Sequence, residues 1–447
     1  MIGSAPYAPG PCRIAFPRVA LRVWAVPLVL VFALVARRPD ALLHPQLWAE
    51  DGNVFFGDVT AFGPIATLLR PYAGYVNLVP RLIADAGSLL PLDAVPLFYV
   101  LVSFFVAGCC CSLFALEAFR FAIGSDRMRA CVCLILALAP NSSELIGNIA
   151  NLQWYLALAV FLVLAIPKSR SAAWSRTTQT VVALAVLVSV ATAPVCLLAL
   201  PFALARARDR NAAGRAMAAA FAIASIVQVW TFARAPHPTG AHAALGALSV
   251  GLVVATALRG EVVPLAGTWC AQWISMDHVL PCSVAILAAT AALVAAVLVR
   301  LEPAERARVF AFLYLAVASV LMALSLRGEN LPPFLHQDQV RPWNADRYFF
   351  CAQAAFIVLA GLAVDRLSSA PAGFRAAFFV ALFSGGVVAN FHRWPYPAPT
   401  VAWAPEASRV RIWESERTTS SHRTEAKLVL PIEPPGWKLV LPPLQGT

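Results

Sequence analysis

Two adjacent carboxylates, Glu50 and Asp51, lie in a stretch that is otherwise rich in apolar and aromatic residues, LWAEDGNVFFGD. Trp48 and Phe55 flank the pair, a context that argues against a freely solvated loop. Partial burial and mutual repulsion are expected to raise the pKa of at least one carboxyl group, and such a group can act as a general base. On an extended segment neighbouring side chains point opposite ways, so one acid would face a substrate. We expect Asp51 to be the base, because Gly52 leaves room beside it, and Glu50 to orient the loop or an arginine.

A second polar group lies at the beginning of an apolar stretch, in the sequence GNIANLQW. Carboxamides exchange hydrogen bonds with hydroxyl groups, and an indole ring can stack on the face of a sugar. Capping of a helix explains one of these side chains but not all four. A capped helix and a carbohydrate site are both consistent with the pattern, which consists of Asn148, Asn151, Gln153 and Trp154.

A third polar group precedes a late apolar stretch, in the sequence HQDQVRPWNADRYFF. An arginine at the end of a membrane span can simply reach the interface with its charged head. A guanidinium group also matches the geometry of phosphate oxygens, and two arginines beside an aromatic residue favour an anion site. The candidates for substrate binding here are His336, Arg341, Trp343, Asp346 and Arg347.

The segment RPYAGYVNLVPRLIADAGSLLP follows the acidic pair and adds two candidates for substrate binding, Tyr75 and Arg81. Arg81 and Asp85 interrupt its apolar residues, so it is a poor membrane span. An amphipathic helix at the membrane interface is the better prediction.

The composition defines the class of protein. Hydrophobic residues make up 60% of the 447 residues and charged residues 13%, whereas a soluble domain has about 45–50% and about 25%. We therefore predict an all-α polytopic membrane protein. The net charge of +11 requires no nucleic acid as a partner, because the cytoplasmic loops of membrane proteins carry extra lysine and arginine.

About eleven stretches are predicted to cross the membrane. Arginine clusters at alternate turns place the amino terminus inside and the carboxyl tail outside. Residues 178–205 allow one long span or two short ones. We prefer a hairpin of two, because Ala193-Pro194 interrupts the stretch, and residues 243–258 then lie along the outer surface. The predicted spans are 19–36, 94–119, 129–139, 153–167, 179–192, 195–205, 214–232, 279–299, 308–326, 347–364 and 374–390.

The predicted topology divides the chain into a transmembrane domain, 1–390, and an outer tail, 391–447. All seven histidines fall on the outer side, which indicates that one face carries the chemistry. Alternating apolar residues and prolines near the end of the tail predict short strands packed on that face. The outer segments within the transmembrane domain are 37–93, 235–278 and 328–346.

Four of these motifs together resemble bacterial GT-C-fold membrane glycosyltransferases: AED, PYAGY followed by PR, GNIANLQW and DRYFF. The motifs are short, but the resemblance covers most of the chain. The predicted topology agrees with it, since these enzymes place a catalytic acid in the first outer loop of a similar set of spans. The resemblance therefore suggests the superfamily and leaves the sugar and the acceptor undefined.

The resemblance implies a transferase in the bacterial inner membrane with its active site facing the periplasm. The donor would be a polyprenyl-phosphate-linked sugar, and the acceptor a cell-envelope glycan or lipid. Asp51 or Glu50 would deprotonate the acceptor hydroxyl, and Arg347, with Arg341, would hold the phosphate leaving group. No cofactor is implied, although a divalent metal ion bound by the two acids stays an alternative. The sugar site would be lined by Asn151, Gln153 and Trp154.

Two other functions remain open at this stage. A transporter or lipid flippase places polar residues near the middle of the bilayer in broken helices. The predicted spans contain few charges there, which favours chemistry at the surface. An envelope polysaccharide polymerase also has arginine-rich outer loops, but the acid pair in the first outer segment fits it less well.

The predicted topology can be tested with reporter fusions. Alkaline phosphatase fused after Arg210 should be inactive, because the arginine-rich turn there is predicted to be cytoplasmic. The same enzyme fused to the carboxyl tail should be active. An active fusion after Arg210 would contradict the two-helix hairpin.

Overall fold

The computed structural model describes residues 16–138, 145–235, 245–327, 346–391, 401–419 and 427–441. These residues are mainly helical, as a chain must be if it is to satisfy its backbone hydrogen bonds within a bilayer. In chain order the helices are α1 (Phe16–Arg37), α2 (Pro39–Leu43), α3 (Gly57–Phe62), α4 (Leu78–Gly87), α5 (Val95–Ser112), α6 (Asp126–Leu138), α7 (Leu152–Ala165), α8 (Lys168–Ser171), α9 (Arg176–Val190), α10 (Leu200–Ala207), α11 (Ala212–Arg234), α12 (Leu245–Ala255), α13 (Val263–Asp277), α14 (Val279–Val299), α15 (Pro303–Arg327), α16 (Phe350–Leu367), α17 (Ala372–Phe391) and α18 (Trp403–Thr419).

Shorter elements join these helices. Wide π-helical turns at Asp51–Phe56 and Thr256–Val262 lead into α3 and α13. Tighter 3₁₀ turns occur at Leu92–Ala94, Leu113–Ala115, Glu117–Phe119, Pro194–Ala199 and Asp346–Phe349. The strands are β1 (Leu428–Ile432) and β2 (Trp437–Leu441).

Seven helical segments within the described residues are long and apolar enough to cross a membrane. A helix rises about 1.5 Å per residue, so 18 or more residues approach the thickness of the hydrocarbon core. This finding supports the predicted all-α polytopic membrane protein, while the count of eleven spans stays a prediction. The segments are Leu92–Ala115, Ala212–Arg234, Ser249–Ala271, Val279–Val299, Glu305–Ser325, Arg347–Leu367 and Ala372–Ala389.

The segment 235–278 differs from the sequence-based prediction. Residues 243–258 were expected along the outer surface, but Ser249–Ala271 is one of the seven helical segments of spanning length. The sequence obscured it because two charged residues, Arg259 and Glu261, interrupt the apolar pattern. Both side chains are buried in the protein, so the helix does not expose them to lipid. Residues 249–258 are therefore part of a candidate span, and their position on the outer surface stays a prediction.

Helices α13 and α17 pack backbone against backbone. A Cβ atom on Gly386 would lie 2.1 Å from the carbonyl oxygen of Pro264, and one on Gly385 would lie 3.1 Å from that of Leu265. Gly267, with φ of +84°, then interrupts the helical backbone within α13. Small residues allow this close approach of membrane helices, and here they hold α17 against the break in α13.

The carboxyl tail folds onto the first outer segment. Strands β1 and β2 pair antiparallel, with Leu428 opposite Leu441 and Ile432 opposite Trp437. The predicted short strands are therefore present. Helix α18 was not predicted, because prolines dominate the sequence before it. The indole Nε1 of Trp403 in α18 donates a hydrogen bond to the carbonyl oxygen of Leu92 at 2.9 Å, which fastens the helix beside α5.

The close packing of α17 predicts the effect of one methyl group. We expect Gly386→Ala to lower the free energy of unfolding by about 1–3 kcal/mol, because the added methyl group meets backbone atoms that cannot turn away. This cost exceeds the gain of up to about 1 kcal/mol that alanine brings to a helix interior. Thermal unfolding in detergent measures the change. Gly124→Ala is the matched control, since its Cβ would meet nothing within 4 Å, and equal stability of the two variants would contradict the packing.

Candidate functional site

The acidic pair lies on a helical backbone. Glu50 has φ −62° and ψ −27°, and the wide helical turn Asp51–Phe56 follows it directly. Neighbouring side chains on a helix diverge, so the two carboxylates have different surroundings. Asp51 is only 2% exposed, whereas Glu50 is partly exposed and lines a cavity. The prediction that only one acid faces the cavity agrees with this geometry, although the segment is not extended.

The Asp51 carboxylate holds two distant segments together. Its Oδ2 accepts a hydrogen bond from the backbone N–H of Ile149 at 3.0 Å, and its Oδ1 accepts one from Ala150 at 2.9 Å. Burial raises the pKa of Asp51 to about 8, against the opposing effect of these two N–H donors. The carboxylate thereby places the segment that begins α7 next to the acidic pair.

A cavity of about 370 Å³ lies beside Glu50. This volume is at the small end of the range of about 300–1,000 Å³ that is typical of ligand pockets. Its polar lining residues are Glu50, Asn77, Asn151, Gln153 and Arg347, and its aromatic ones are Phe55, Tyr72, Tyr75, Trp154, Phe232 and Tyr348. All four sequence motifs thus contribute residues to the lining of one cavity.

Contacts between side chains connect these motifs. The Tyr75 hydroxyl donates to Oε1 of Gln153 at 3.5 Å. The rings of Trp154 and Tyr348 meet edge to face, with centroids 5.1 Å apart, and the guanidinium carbon of Arg347 lies 5.3 Å from the centroid of the Tyr348 ring. The aromatic wall therefore links the residues expected to bind a sugar to the arginine expected to bind a phosphate.

Tyr72 lies next to the acid of the cavity. Burial and the neighbouring Glu50 carboxylate raise the pKa of Tyr72 to about 12, so its phenol keeps its proton near neutral pH. Glu50 and Arg347 both act on this phenol electrostatically, in opposite directions. Glu50, Tyr72 and Arg347 therefore belong to one electrostatic environment.

Two buried donors at the cavity wall lack an acceptor. The indole Nε1 of Trp154 and the amide Nδ2 of Asn77 have no hydrogen-bond partner in the part of the chain that the structure describes. An unsatisfied buried donor costs about 1–3 kcal/mol, so its retention calls for an explanation. A ligand rich in oxygen atoms supplies one.

The structure contradicts the reason for preferring Asp51 over Glu50. Asp51 was preferred because Gly52 was expected to leave room for a substrate. A Cβ on Gly52 would instead lie 2.7 Å from Cδ1 of Ile432 and 3.1 Å from Cβ of Leu47, so strand β1 fills that space. Glu50 is the acid on the cavity wall.

Two predicted substrate-binding residues lie elsewhere. Arg81 is 1% exposed and pairs with Asp58 at 3.0 Å, which neutralises it beneath the outer segment. The side-chain Oδ1 of Asn148 accepts the backbone N–H of Asn151 at 3.0 Å, and Asn148 lines a separate, much smaller depression with Arg38. Neither residue lines the cavity of Glu50. Their contacts therefore indicate that both residues stabilise the fold rather than bind a substrate.

Four other predicted residues are described only in part or lie outside the described residues. His336, Arg341 and Trp343 lie outside them. Asp346 opens the 3₁₀ turn before α16, and only its backbone is described. Their assignment to the substrate site stays a prediction.

Three lining residues whose side chains can form hydrogen bonds were not singled out from the sequence: Tyr72, Asn77 and Tyr348. Each is a near neighbour of a predicted residue, within the motifs PYAGYVN and DRYFF. Tyr72 and Tyr75 exchange backbone hydrogen bonds of 3.0 and 3.1 Å across a tight turn. That turn brings both phenols to the wall of the cavity. The PYAGY motif, which already contained Tyr75, was the sequence feature that could have identified Tyr72.

The two acids do not converge on a shared metal ion. Both carboxylate oxygens of Asp51 accept backbone N–H groups, whereas Glu50 faces the cavity. Among the residues that the structure describes, no group of three or more histidine, cysteine, aspartate and glutamate residues could hold a metal ion. Within the described part of the chain, the two acids therefore do not share a divalent ion, and the alternative stays untested.

Comparison with known proteins gives no further assignment. No protein-family model matches the chain, and no significant match is found among curated proteins or solved structures.

The different surroundings of the two acids predict different effects of isosteric substitutions on stability. Asp51→Asn leaves one of the two backbone N–H groups facing an amide NH₂ group, so we expect a loss of about 1–3 kcal/mol. Glu50→Gln should change stability little, because that side chain borders a cavity. Thermal unfolding of the two purified variants measures the difference. Equal losses would show that Asp51 does not hold the segment after Gly147.

Proposed function

We propose that the protein is a GT-C-like membrane glycosyltransferase. It would transfer a sugar from a polyprenyl-phosphate donor to a cell-envelope glycan or lipid on the periplasmic face of the bacterial inner membrane. The single observation that carries the proposal is the composition of the cavity wall. There a carboxylate, a guanidinium group, carboxamides and aromatic rings enclose a space of about 370 Å³. These are the groups that base catalysis, phosphate binding and sugar binding require.

Glu50 is the proposed general base. Its carboxylate takes the proton of the acceptor hydroxyl as that oxygen attacks the anomeric carbon of the donor sugar. The bond between the anomeric carbon and the phosphate oxygen breaks, and its electron pair leaves with the phosphate. Glu50 is the carboxylate that the described residues place on this wall. A single displacement that inverts the anomeric carbon fits this arrangement, since retention by the usual route needs a second carboxylate as a nucleophile.

Arg347 is the proposed partner of the leaving phosphate. A guanidinium group presents parallel N–H donors to two phosphate oxygens and cannot lose its charge near neutral pH. Arg347 and Glu50 line the same cavity, which supports their acting on one donor molecule. Negative charge that develops on the phosphate oxygen would be stabilised there.

The sugar would occupy the space between these two charges. Asn151 and Gln153 supply carboxamides to its hydroxyl groups, and Asn77 supplies a buried donor that lacks an acceptor. The indole of Trp154 supplies a second such donor and an apolar surface. Asp51 acts as a positioning residue, because it holds the segment that carries Asn151 and Gln153 against the acidic turn.

A transporter is the second candidate function, and one observation favours it. Arg259 and Glu261 are buried within Ser249–Ala271, a segment of spanning length. Ionisable residues inside membrane segments commonly mark transport pathways. Formation of a new glycosidic bond distinguishes the two functions, because a transporter moves the sugar without changing its linkage.

The role of Glu50 predicts a large loss of transfer. The assay uses purified protein in vesicles with a panel of polyprenyl-phosphate monosaccharides and delipidated envelope glycan as the acceptor. Glu50→Gln should lower the rate by about 10²–10⁴-fold, the usual effect of removing a general base. Glu117→Gln is the matched control, since its side chain is 73% exposed and remote from the cavity wall. Transfer by Glu50→Gln at the parental rate would contradict the proposal.

The role of Arg347 predicts an effect on the donor alone. Arg347→Lys keeps the charge but loses the paired N–H donors, so KM for the donor should rise while KM for the acceptor changes little. Arg411→Lys makes the same change at a residue paired with Asp93 on the protein surface. An unchanged donor KM in a folded Arg347→Lys protein would leave Arg347 as an interfacial anchor.

A further inference from the structure

Glu261 is a buried carboxyl group that the proposed transfer reaction does not use. It is 6% exposed and lies near the middle of Ser249–Ala271, in the wide helical turn Thr256–Val262. Wide turns of this kind occur frequently at functional sites, and an ionisable group at this depth is costly to keep in a membrane. Its retention therefore calls for a partner.

Two apolar crevices meet at this carboxyl group. Their volumes are about 340 and about 380 Å³, and both are bounded by Glu261, Thr290, Val294, Phe356 and Leu359. Every other described residue that lines either crevice has an uncharged side chain. Neither crevice shares a lining residue with the cavity of Glu50. The two sites are therefore separate.

The carboxyl group has a vacant acceptor position. Its Oε2 accepts the Thr290 hydroxyl at 2.6 Å, but Oε1 accepts no hydrogen bond from any residue that the structure describes. Thr290 lies near the middle of α14, most of whose apolar side chains are exposed. In a membrane this exposed surface faces lipid. The crevices beside it are therefore reached from the hydrocarbon region.

These features define the chemistry of an occupant. Its body must be an apolar chain, because the walls are almost entirely apolar. Its polar group must donate a hydrogen bond to Oε1. A hydroxyl group meets this requirement at a lower cost of transfer to the middle of the bilayer than an ammonium group does, and a phosphate group would be repelled by the carboxylate.

We propose that the crevices around Glu261 form a binding site for a membrane-dissolved long-chain alcohol, whose hydroxyl donates to the Glu261 carboxyl. The Thr290 hydroxyl holds that carboxyl in place from the side of α14. The site stands independently of the proposed glycosyl transfer, since it depends on a different carboxyl group and different helices.

Protection from a carboxyl reagent tests the site. Full-length protein in lipid vesicles is treated with dicyclohexylcarbodiimide, an apolar reagent that adds to carboxyl groups, and modification of Glu261 is measured by peptide mass spectrometry. We expect modification of Glu261, and we expect 1-dodecanol to halve its rate at a concentration about fivefold lower than dodecane requires. That ratio of affinities corresponds to one net hydrogen bond of about 1 kcal/mol. Dodecane, with the same chain and no hydroxyl, should slow it far less.

Two controls separate binding from general reactivity. Glu261→Gln keeps the shape of the side chain and should abolish the modification at this position. A water-soluble carbodiimide should modify the exposed Glu117 and leave Glu261 unmodified, because the crevices open toward lipid. Absence of dicyclohexylcarbodiimide modification at Glu261 would overturn the proposal. Equal protection by 1-dodecanol and dodecane, or protection by neither, would also overturn it.

Discussion

The buried carboxylate of Asp51 is the interaction on which the candidate site depends. Removing a carboxylate from water is costly unless hydrogen bonds compensate for it. Here the backbone N–H groups of Ile149 and Ala150 compensate for part of that cost, one at each oxygen. The first outer segment and the beginning of α7 are thereby fixed against each other.

The carboxyl tail supports the same turn from the opposite side. The backbone N–H of Ala49 donates to the carbonyl oxygen of Glu433, and the Ile432 side chain fills the space beside Gly52. The side chain of Leu439 packs against Gly57, the first residue of α3. Three parts of the chain that are distant in sequence thus determine the orientation of the acidic turn. Asp51 forms hydrogen bonds within this arrangement, and its neighbour Glu50 faces the cavity.

The sequence predicted the class of fold and much of the cavity. Composition sufficed for a helical membrane protein, since long apolar helices follow from hydropathy alone. Tyr75, Asn151, Gln153, Trp154 and Arg347 were selected by residue type, and the structure brings them together around one cavity. Local motifs identified these residues because polar side chains are rare in so apolar a chain.

The remaining features depend on contacts that no local pattern reveals. Arg81 was interpreted as a ligand-binding residue because the sequence does not show its partner. That partner, Asp58, lies 23 positions earlier in the chain. Asp51 was preferred over Glu50 because the packing of Ile432 on Gly52 involves the far end of the chain. Residues 243–258 were assigned to the outer surface because the burial of Arg259 and Glu261 depends on neighbouring helices. In each case tertiary contacts determine the surroundings of the residue.

Hydrogen exchange at the amides of Ile149 and Ala150 tests the central claim most directly. In the parent protein both amides should exchange slowly. In Asp51→Ala both should exchange at least about tenfold faster, because both hydrogen bonds to the Asp51 side chain are lost. Glu50→Gln should leave their rates unchanged. Rapid exchange of these amides in the parent protein, or rates that Asp51→Ala does not change, would contradict the account.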